Sequence, residues 1–261
     1  MRPRIAICRH AARDDAGAVA LALSHTPHAG IEISLATRDP RGSVKAASAL
    51  VDLSGGKLDL RYHFPLSALE LSDPSPGQAR EALDSMLAAV SAIAEADGSV
   101  LTVHAALPSD ATSGPRFSAT RDRLRELVAA GEEVGVTVCL ENLKWGATSD
   151  PDIVMTLADY AGARVTFDVG HANSSDVAVA GYSAEQFALE LGGRIAGAHV
   201  YERESDIHHA PDDLDRIGGT LDALCDVECD WWTVELVDPK DAFRTAGILH
   251  DFLTVRFGPT S

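Results

Sequence analysis

Gly135-Val136-Thr137-Val138-Cys139-Leu140-Glu141-Asn142 is a short β-branched, apolar run that ends in a carboxylate, and Ala163-Arg164-Val165-Thr166-Phe167-Asp168-Val169-Gly170-His171 repeats the pattern one segment later. Between them, residues 150–160 have the length and composition of a helix. Strand, helix, strand at this spacing reads as one βαβ unit with its strands parallel. The alternation continues in both directions. Further strand candidates fall at residues 4–8, 30–36, 58–65, 100–106, 195–202 and 231–237. Helical stretches lie at 11–24, 43–53, 77–96, 116–133, 183–191, 212–225 and 241–252. Eight strands and eight helices in strict alternation over 261 residues predict an α/β chain, a single (β/α)8 barrel spanning residues 1–261. An open doubly wound sheet would place a Gly-rich phosphate turn after its first strand; here that position holds Cys8-Arg9-His10.

Composition narrows the functional classes. With 46% hydrophobic and 23% charged residues the chain can bury a sizeable core. Lys plus Arg number 22 against 39 Asp plus Glu, a net charge of −17 that repels phosphate backbones and argues against a nucleic-acid partner. No apolar run approaches the roughly 18 residues that cross a bilayer, and Met1-Arg2-Pro3-Arg4 precedes too short an apolar stretch for a signal peptide. The expectation is a cytoplasmic chain with no membrane partner. Cys8, Cys139, Cys225 and Cys229 form no CxxC pair, so reduced thiols are expected.

The strand ends carry the chemistry. Tyr62-His63, Val103-His104, Leu140-Glu141, Phe167-Asp168, Ala198-His199 and Val234-Glu235 each read apolar, then ionisable. In a closed parallel barrel these ends gather at one face, where active sites form. Two residues back lie Arg61, Thr102, Cys139, Thr166, Gly197 and Thr233, mostly small or polar, as a barrel interior below a site requires. His171, Asp206 and His208 fall on the loops that follow, so nine residues converge. Any one alone reads as an ordinary hydrogen-bonded loop residue, but acids crowded at one rim cannot all stay ionised without compensation. A divalent cation supplies it, and mixed imidazole and carboxylate ligands suit Mn²⁺ or Zn²⁺. The expected ligands are Glu141, Asp168, His199, Glu235, His63, His104, His171, Asp206 and His208, around one ion, or two or three.

With these residues in view, the chain resembles the xylose-isomerase-like barrel superfamily, which includes sugar-phosphate isomerases and epimerases, sugar-acid dehydratases and endonuclease IV phosphodiesterases. The likeness runs from about residue 58 to 237. It implies that Glu141, Asp168, His199 and Glu235, separated by 27, 31 and 36 residues, hold the metal common to the isomerases. It also implies a divalent-metal-dependent isomerase or epimerase of a small sugar or sugar phosphate, working through a metal-stabilised enediolate. Glu141 and Glu235 would be its acid–base pair, and His171 would contact substrate. Lys144, Arg203 and Arg9 are further candidates for meeting a phosphate or carboxylate, and Phe64 and Trp145 for capping the mouth. His63, His104, Asp206 and His208 are similar to the extra ligands of endonuclease IV, which implies a multinuclear phosphoesterase as the alternative. The chain departs from that enzyme's motifs at Asp168-Val169-Gly170-His171, Tyr201-Glu202-Arg203 and Pro211-Asp212-Asp213. A sugar-acid dehydratase would use the same metal. Some epimerases of this type fix the substrate with an extra Glu and Arg where this chain has Ala147 and Ser205. The expected partner is a small carbohydrate, and the Trp231-Trp232 pair with the Ala-rich helices leaves room for a homodimer.

Overall fold

The computed structural model describes residues 1–26, 28–67 and 69–259; Pro27, Ala68, Thr260 and Ser261, inside the expected single domain, lie outside the described residues. The barrel strands are β1 (Arg4–Cys8), β2 (Ala29–Ser34), β3 (Leu58–His63), β4 (Val100–Val103), β5 (Thr137–Glu141), β6 (Arg164–Asp168) and β7 (Ile195–Val200), with the eighth, β10, at Trp231–Val234. They close in the order β1-β10-β7-β6-β5-β4-β3-β2, every neighbouring pair parallel. The main outer helices are α1 (Asp15–Ala22), α2 (Pro40–Ser54), α3 (Pro76–Glu95), α4 (Gly114–Val134), α5 (Pro151–Ala161), α8 (Ala184–Leu191), α9 (Gly218–Asp226) and α10 (Pro239–Phe257).

The helices start and stop on local chemistry. In α2, α5 and α10 an Asp (Asp39, Asp150, Asp238) accepts a backbone N–H of the first turn and the next residue is proline, whose fixed φ suits that position. Ser183 and Gln186 form a reciprocal capping box at α8. Gly55, Gly135 and Gly162 end α2, α4 and α5 in the left-handed conformation.

Side-chain alternation fills the barrel. Near its amino-terminal end the Arg61 guanidinium lies 4.4 Å from the Trp231 ring centre and donates to Ala196 O at 2.7 Å. Gly30 and Gly197 leave the space: a Cβ on Gly30 would strike the Trp231 ring, and one on Gly197 would lie 2.7 Å from Arg61 Nη1. Next along the strands the Thr102 and Thr166 hydroxyls meet at 2.8 Å. Beyond them the acids and imidazoles emerge. All four cysteines are buried and free. No helix among the described residues is long and apolar enough to cross a membrane.

Several boundaries differ from the expected ones. The sixth strand stops at Asp168 instead of 171, because Asp168 accepts the backbone N–H of His171 at 2.6 Å and starts a short helix, α6 (Val169–Ser174), followed by α7 (Asp176–Val179). The seventh strand ends at Val200, and the chain beyond it folds into an antiparallel hairpin of β8 (Arg203–Glu204) and β9 (His208–His209). The helix expected over 212–225 begins only at Gly218, after the turns that follow this hairpin.

Candidate metal centre

Glu141 ends β5, Asp168 ends β6, His199 lies near the end of β7, and Glu235 follows β10. One ligand atom from each fits within 4.8 Å of the others. His199 Nδ1 faces all three acids, at 3.2 Å from Glu141 Oε1, 3.2 Å from Glu235 Oε2 and 3.7 Å from Asp168 Oδ2. Asn142 braces the floor: its amide bridges the Asp168 backbone, donating to the carbonyl at 3.0 Å and accepting the N–H at 2.8 Å.

A second group shares Glu141. His63 and His104 bring their Nε2 atoms 3.4 Å and 3.1 Å from Glu141 Oε2, and the two imidazoles approach to 3.3 Å. A third group stands under the hairpin and comprises His171, Glu204 and His208. His171 Nδ1 donates to Asn142 O at 2.9 Å, which leaves Nε2 facing Glu204 Oε2 at 2.7 Å. His208 Nδ1 donates to Glu235 O at 2.8 Å while its ring stacks on Tyr201, 4.0 Å between centres. Gly170 gives Tyr201 its place, since a Cβ there would enter the phenol ring.

The expected residues are thus largely brought together: His63, His104, Glu141, Asp168, His171, His199, His208 and Glu235 all belong to these groups. Asp206 does not; it is exposed at the hairpin turn, and Glu204 stands beside His171 and His208 instead. Lys144 lies at the edge of the site, 2.9 Å from Glu204 Oε1 and donating to Ser205 O at 2.6 Å, so it ties the β5 loop to the hairpin. Arg203 is exposed and pairs with Glu202 at 3.6 Å, outside the groups. Phe64 is buried, whereas Trp145 is exposed at the mouth. Two acids were not expected, Glu204 and the buried Glu32 of β2, whose Oε1 is 2.7 Å from His199 Nε2. Glu32 does have a sequence signal: a lone acid between Ile31 and Ile33 on an otherwise apolar strand must point into the barrel.

The electrostatics follow from this crowding. Burial pushes the Glu141 carboxyl up, but His199, His104 and His63 overcome it and hold the group well below its usual range. Glu235 is likewise held at about 2, burial being outweighed by His199. Asp168 goes the other way: burial raises it and His171 and His199 only partly offset that. His199 is held well above its ordinary value, against burial, by Glu235, Glu32 and Glu141. His171 rises to about 10 against burial, through Asp168 and Glu204. Burial dominates at His63 and lowers it. Protons on imidazoles here do the neutralising work that a cation does at a metal site. Glu141 Oε2 and Asp168 Oδ2 are buried without a hydrogen-bond partner among the described residues, and such atoms are costly unless an ion claims them. Two Glu, one Asp and one His within one-ion reach therefore fit a divalent cation.

Fold and site together describe a closed (β/α)8 barrel with a His/Glu/Asp cluster that one ion fits at its carboxyl-terminal mouth. The chain belongs to the family of xylose isomerase-like TIM barrels, whose pattern matches residues 10–222. An uncharacterized protein of Methanocaldococcus jannaschii is 36% identical over 124 residues, 47% of this chain and 53% of that protein, so the match spans about half of the relative's length. Among solved structures, a D-tagatose 3-epimerase-like protein superposes with a TM-score of 0.75 at 18% identity, covering 97% of both chains. D-psicose 3-epimerase from Clostridium cellulolyticum H10 gives 0.72 at 16%, covering 97% of this chain and 98% of that one. D-allulose 3-epimerase from a Methylomonas species gives 0.72 at 17%, covering 98% of each. At these identities the likeness is one of fold.

Proposed function

We propose that this chain is an enzyme, a divalent-metal-dependent isomerase or epimerase of a small sugar or sugar phosphate. One observation carries the reading. Glu141 and Glu235 stand on β5 and after β10, strands separated around the barrel by β6 and β7, and both reach the His199 ring nitrogen that Asp168 also faces. Two carboxylates from separate strands thus reach a single cation position, an arrangement that would let one remove a proton from a carbon and the other supply one.

Glu141, Asp168, His199 and Glu235 would hold the ion, with Mn²⁺ or Zn²⁺ matching the donors. When bound, such an ion supplies positive charge for two adjacent substrate oxygens and lowers the cost of the negative charge that develops at the carbonyl. The chain's own residues do the rest. Glu141 and Glu235 are both held ionised, so each presents a carboxylate to the cation position. Inversion follows when the second glutamate, having first taken up a proton of its own, delivers it to the other face of the carbon; delivery to the neighbouring carbon moves the carbonyl. His171, its ring fixed by Asn142 and its Nε2 on Glu204, would contact a substrate oxygen only by exchanging that partner. Lys144 and Arg203 would supply positive charge for a phosphate or carboxylate only by giving up their pairs with Glu204 and Glu202. The structural neighbours include D-psicose 3-epimerase and a D-tagatose 3-epimerase-like protein, but the two loop positions tied by resemblance to ketose recognition are Ala147 and Ser205 here, so the substrate class is small sugars and their phosphates.

The second reading is a multinuclear phosphoesterase, favoured by the flanking groups His63/His104/Glu141 and His171/Glu204/His208. Elemental analysis of protein purified without chelators separates the two, run beside His104→Ala. One ion per chain, unchanged in the variant, is the expected result and sends the substrate search to aldoses, ketoses and their phosphates. Two or three ions, falling when His104 is removed, would favour phosphoester hydrolysis. No ion at all would overturn both.

A further inference from the structure

Glu32 is a carboxylate at 3% exposure inside the barrel, on a strand that supplies none of the four residues around the central position. Alternation on β2 turns Ile31 and Ile33 outward to the helices and Gly30 and Glu32 inward. Leaving a charge there is expensive unless it has a task or a partner. Its two oxygens face different groups. The Trp231 indole N–H donates to Thr233 Oγ1 at 2.9 Å, and the Thr233 hydroxyl donates onward to Glu32 Oε2 at 3.4 Å. That pair is brought together by barrel closure, with β1 between the two strands and only the small Ala6 aligned with both Gly30 and Thr233. Oε1 is left to face His199 Nε2 at 2.7 Å, bent away from the line of an ideal hydrogen bond. On the other edge of the same ring, Nδ1 faces Glu141, Asp168 and Glu235.

We propose that Glu32 is the positioning residue of the metal centre: through His199 Nε2 it fixes the ring so that Nδ1 is presented to the cation, and its negative charge makes that nitrogen a stronger donor. The inference rests on the metal reading above and deepens it. An imidazole can bind an ion through only one nitrogen at a time, and the partner of the other nitrogen sets which one and in what orientation. With the Glu32 carboxylate 2.7 Å from Nε2, that edge of the ring is taken up by the barrel interior and the Nδ1 edge is the one turned to Glu141, Asp168 and Glu235. Thr233, itself held by the Trp231 indole, anchors the carboxylate from behind, and the close Glu32–His199 contact carries the orientation on toward the mouth. His63 Nδ1, 3.9 Å from Glu32 Oε1, is the second ring within the carboxylate's reach.

The test measures Mn²⁺ and Zn²⁺ affinity and stoichiometry by competition with a chromophoric chelator, for wild type, Glu32→Gln and Glu32→Ala, together with melting of the chelator-treated proteins. Gln keeps an acceptor of the same shape without the charge; Ala removes both. The expected order is wild type, then Gln, then Ala, with Gln weaker by about 10-fold to 100-fold. Stoichiometry stays constant and melting of the chelator-treated Gln protein is not lowered. Should the Ala variant fail to fold, the Gln comparison alone decides. Wild-type affinity in Glu32→Gln overturns the proposal, as does a loss of affinity matched by a loss of metal-free stability. A fall in the number of ions bound would make Glu32 a ligand and overturn the positioning role. If wild type itself takes up neither ion, the metal reading fails; if wild type binds and the variants bind equally, only the role of Glu32 does.

Discussion

Asp168 divides its two oxygens between architecture and chemistry. Oδ1 accepts the His171 N–H and caps α6, while Oδ2 stays free of hydrogen bonds and looks into the cluster. One side chain thereby ends a strand, starts a helix and aims the His171 ring, which is why Asp and His three apart are found together here. Glu204 shows how a rim acid is held. Burial pushes its carboxyl up from 4.5, but hydrogen bonds from His171 and Lys144 prevail and hold it at about 2. A depressed carboxyl contributes stability that is complete above its unfolded value and is lost as pH falls toward the folded one. Glu204→Gln is therefore expected to be less stable than wild type above pH 4.5, with the gap closing as pH drops toward 2. Urea midpoints at matched pH values check this, and a gap that persists unchanged to pH 2 would contradict it.

At the scale of elements, the β8–β9 hairpin is what converts a row of strand ends into a covered site. Lys144 fastens it to the β5 loop, Ser174 Oγ accepts Glu204 N–H at 2.7 Å, and Asn173 donates to Glu202 O at 2.8 Å. Tyr201 supports the hairpin from below through its stack on His208, and it fits only because α6 carries Gly170 at the contact. Gly170→Ala is expected to cost about 1 to 3 kcal/mol through overpacking, read from urea unfolding. Unchanged stability would mean that the ring yields freely. The hairpin was also the least legible element. Residues 201–209 have neither the length nor the alternation of a strand pair, and their pairing depends on anchors from α6 and the β5 loop that are remote in sequence. The spacing of Asp206 and His208 suggested two ligands, whereas the turn exposes Asp206 and brings in Glu204.

Over the whole molecule, the parallel barrel buries its thiols and collects its acids. Burial pushes Cys8 and Cys229 up to about 12 and Cys139 and Cys225 to about 11, so none carries appreciable thiolate near neutrality. No thiol is expected to react with an aromatic disulfide reagent at pH 8 in the native protein and all four after unfolding; rapid labelling of even one native thiol would refute this. The sequence by itself determined the barrel, because strand and helix periods are local. It also determined most of the acids at the mouth, because an ionisable residue after an apolar strand has one place to go once the strands are parallel. Only the tertiary structure decided which carboxylates share which imidazole. Glu32 and Thr233 lie 201 residues apart and meet solely because β10 and β2 both pair with β1. Glu204 reaches His171 solely because the hairpin folds back over α6. Those contacts come from closure of the sheet and the path of a loop, which no local pattern encodes.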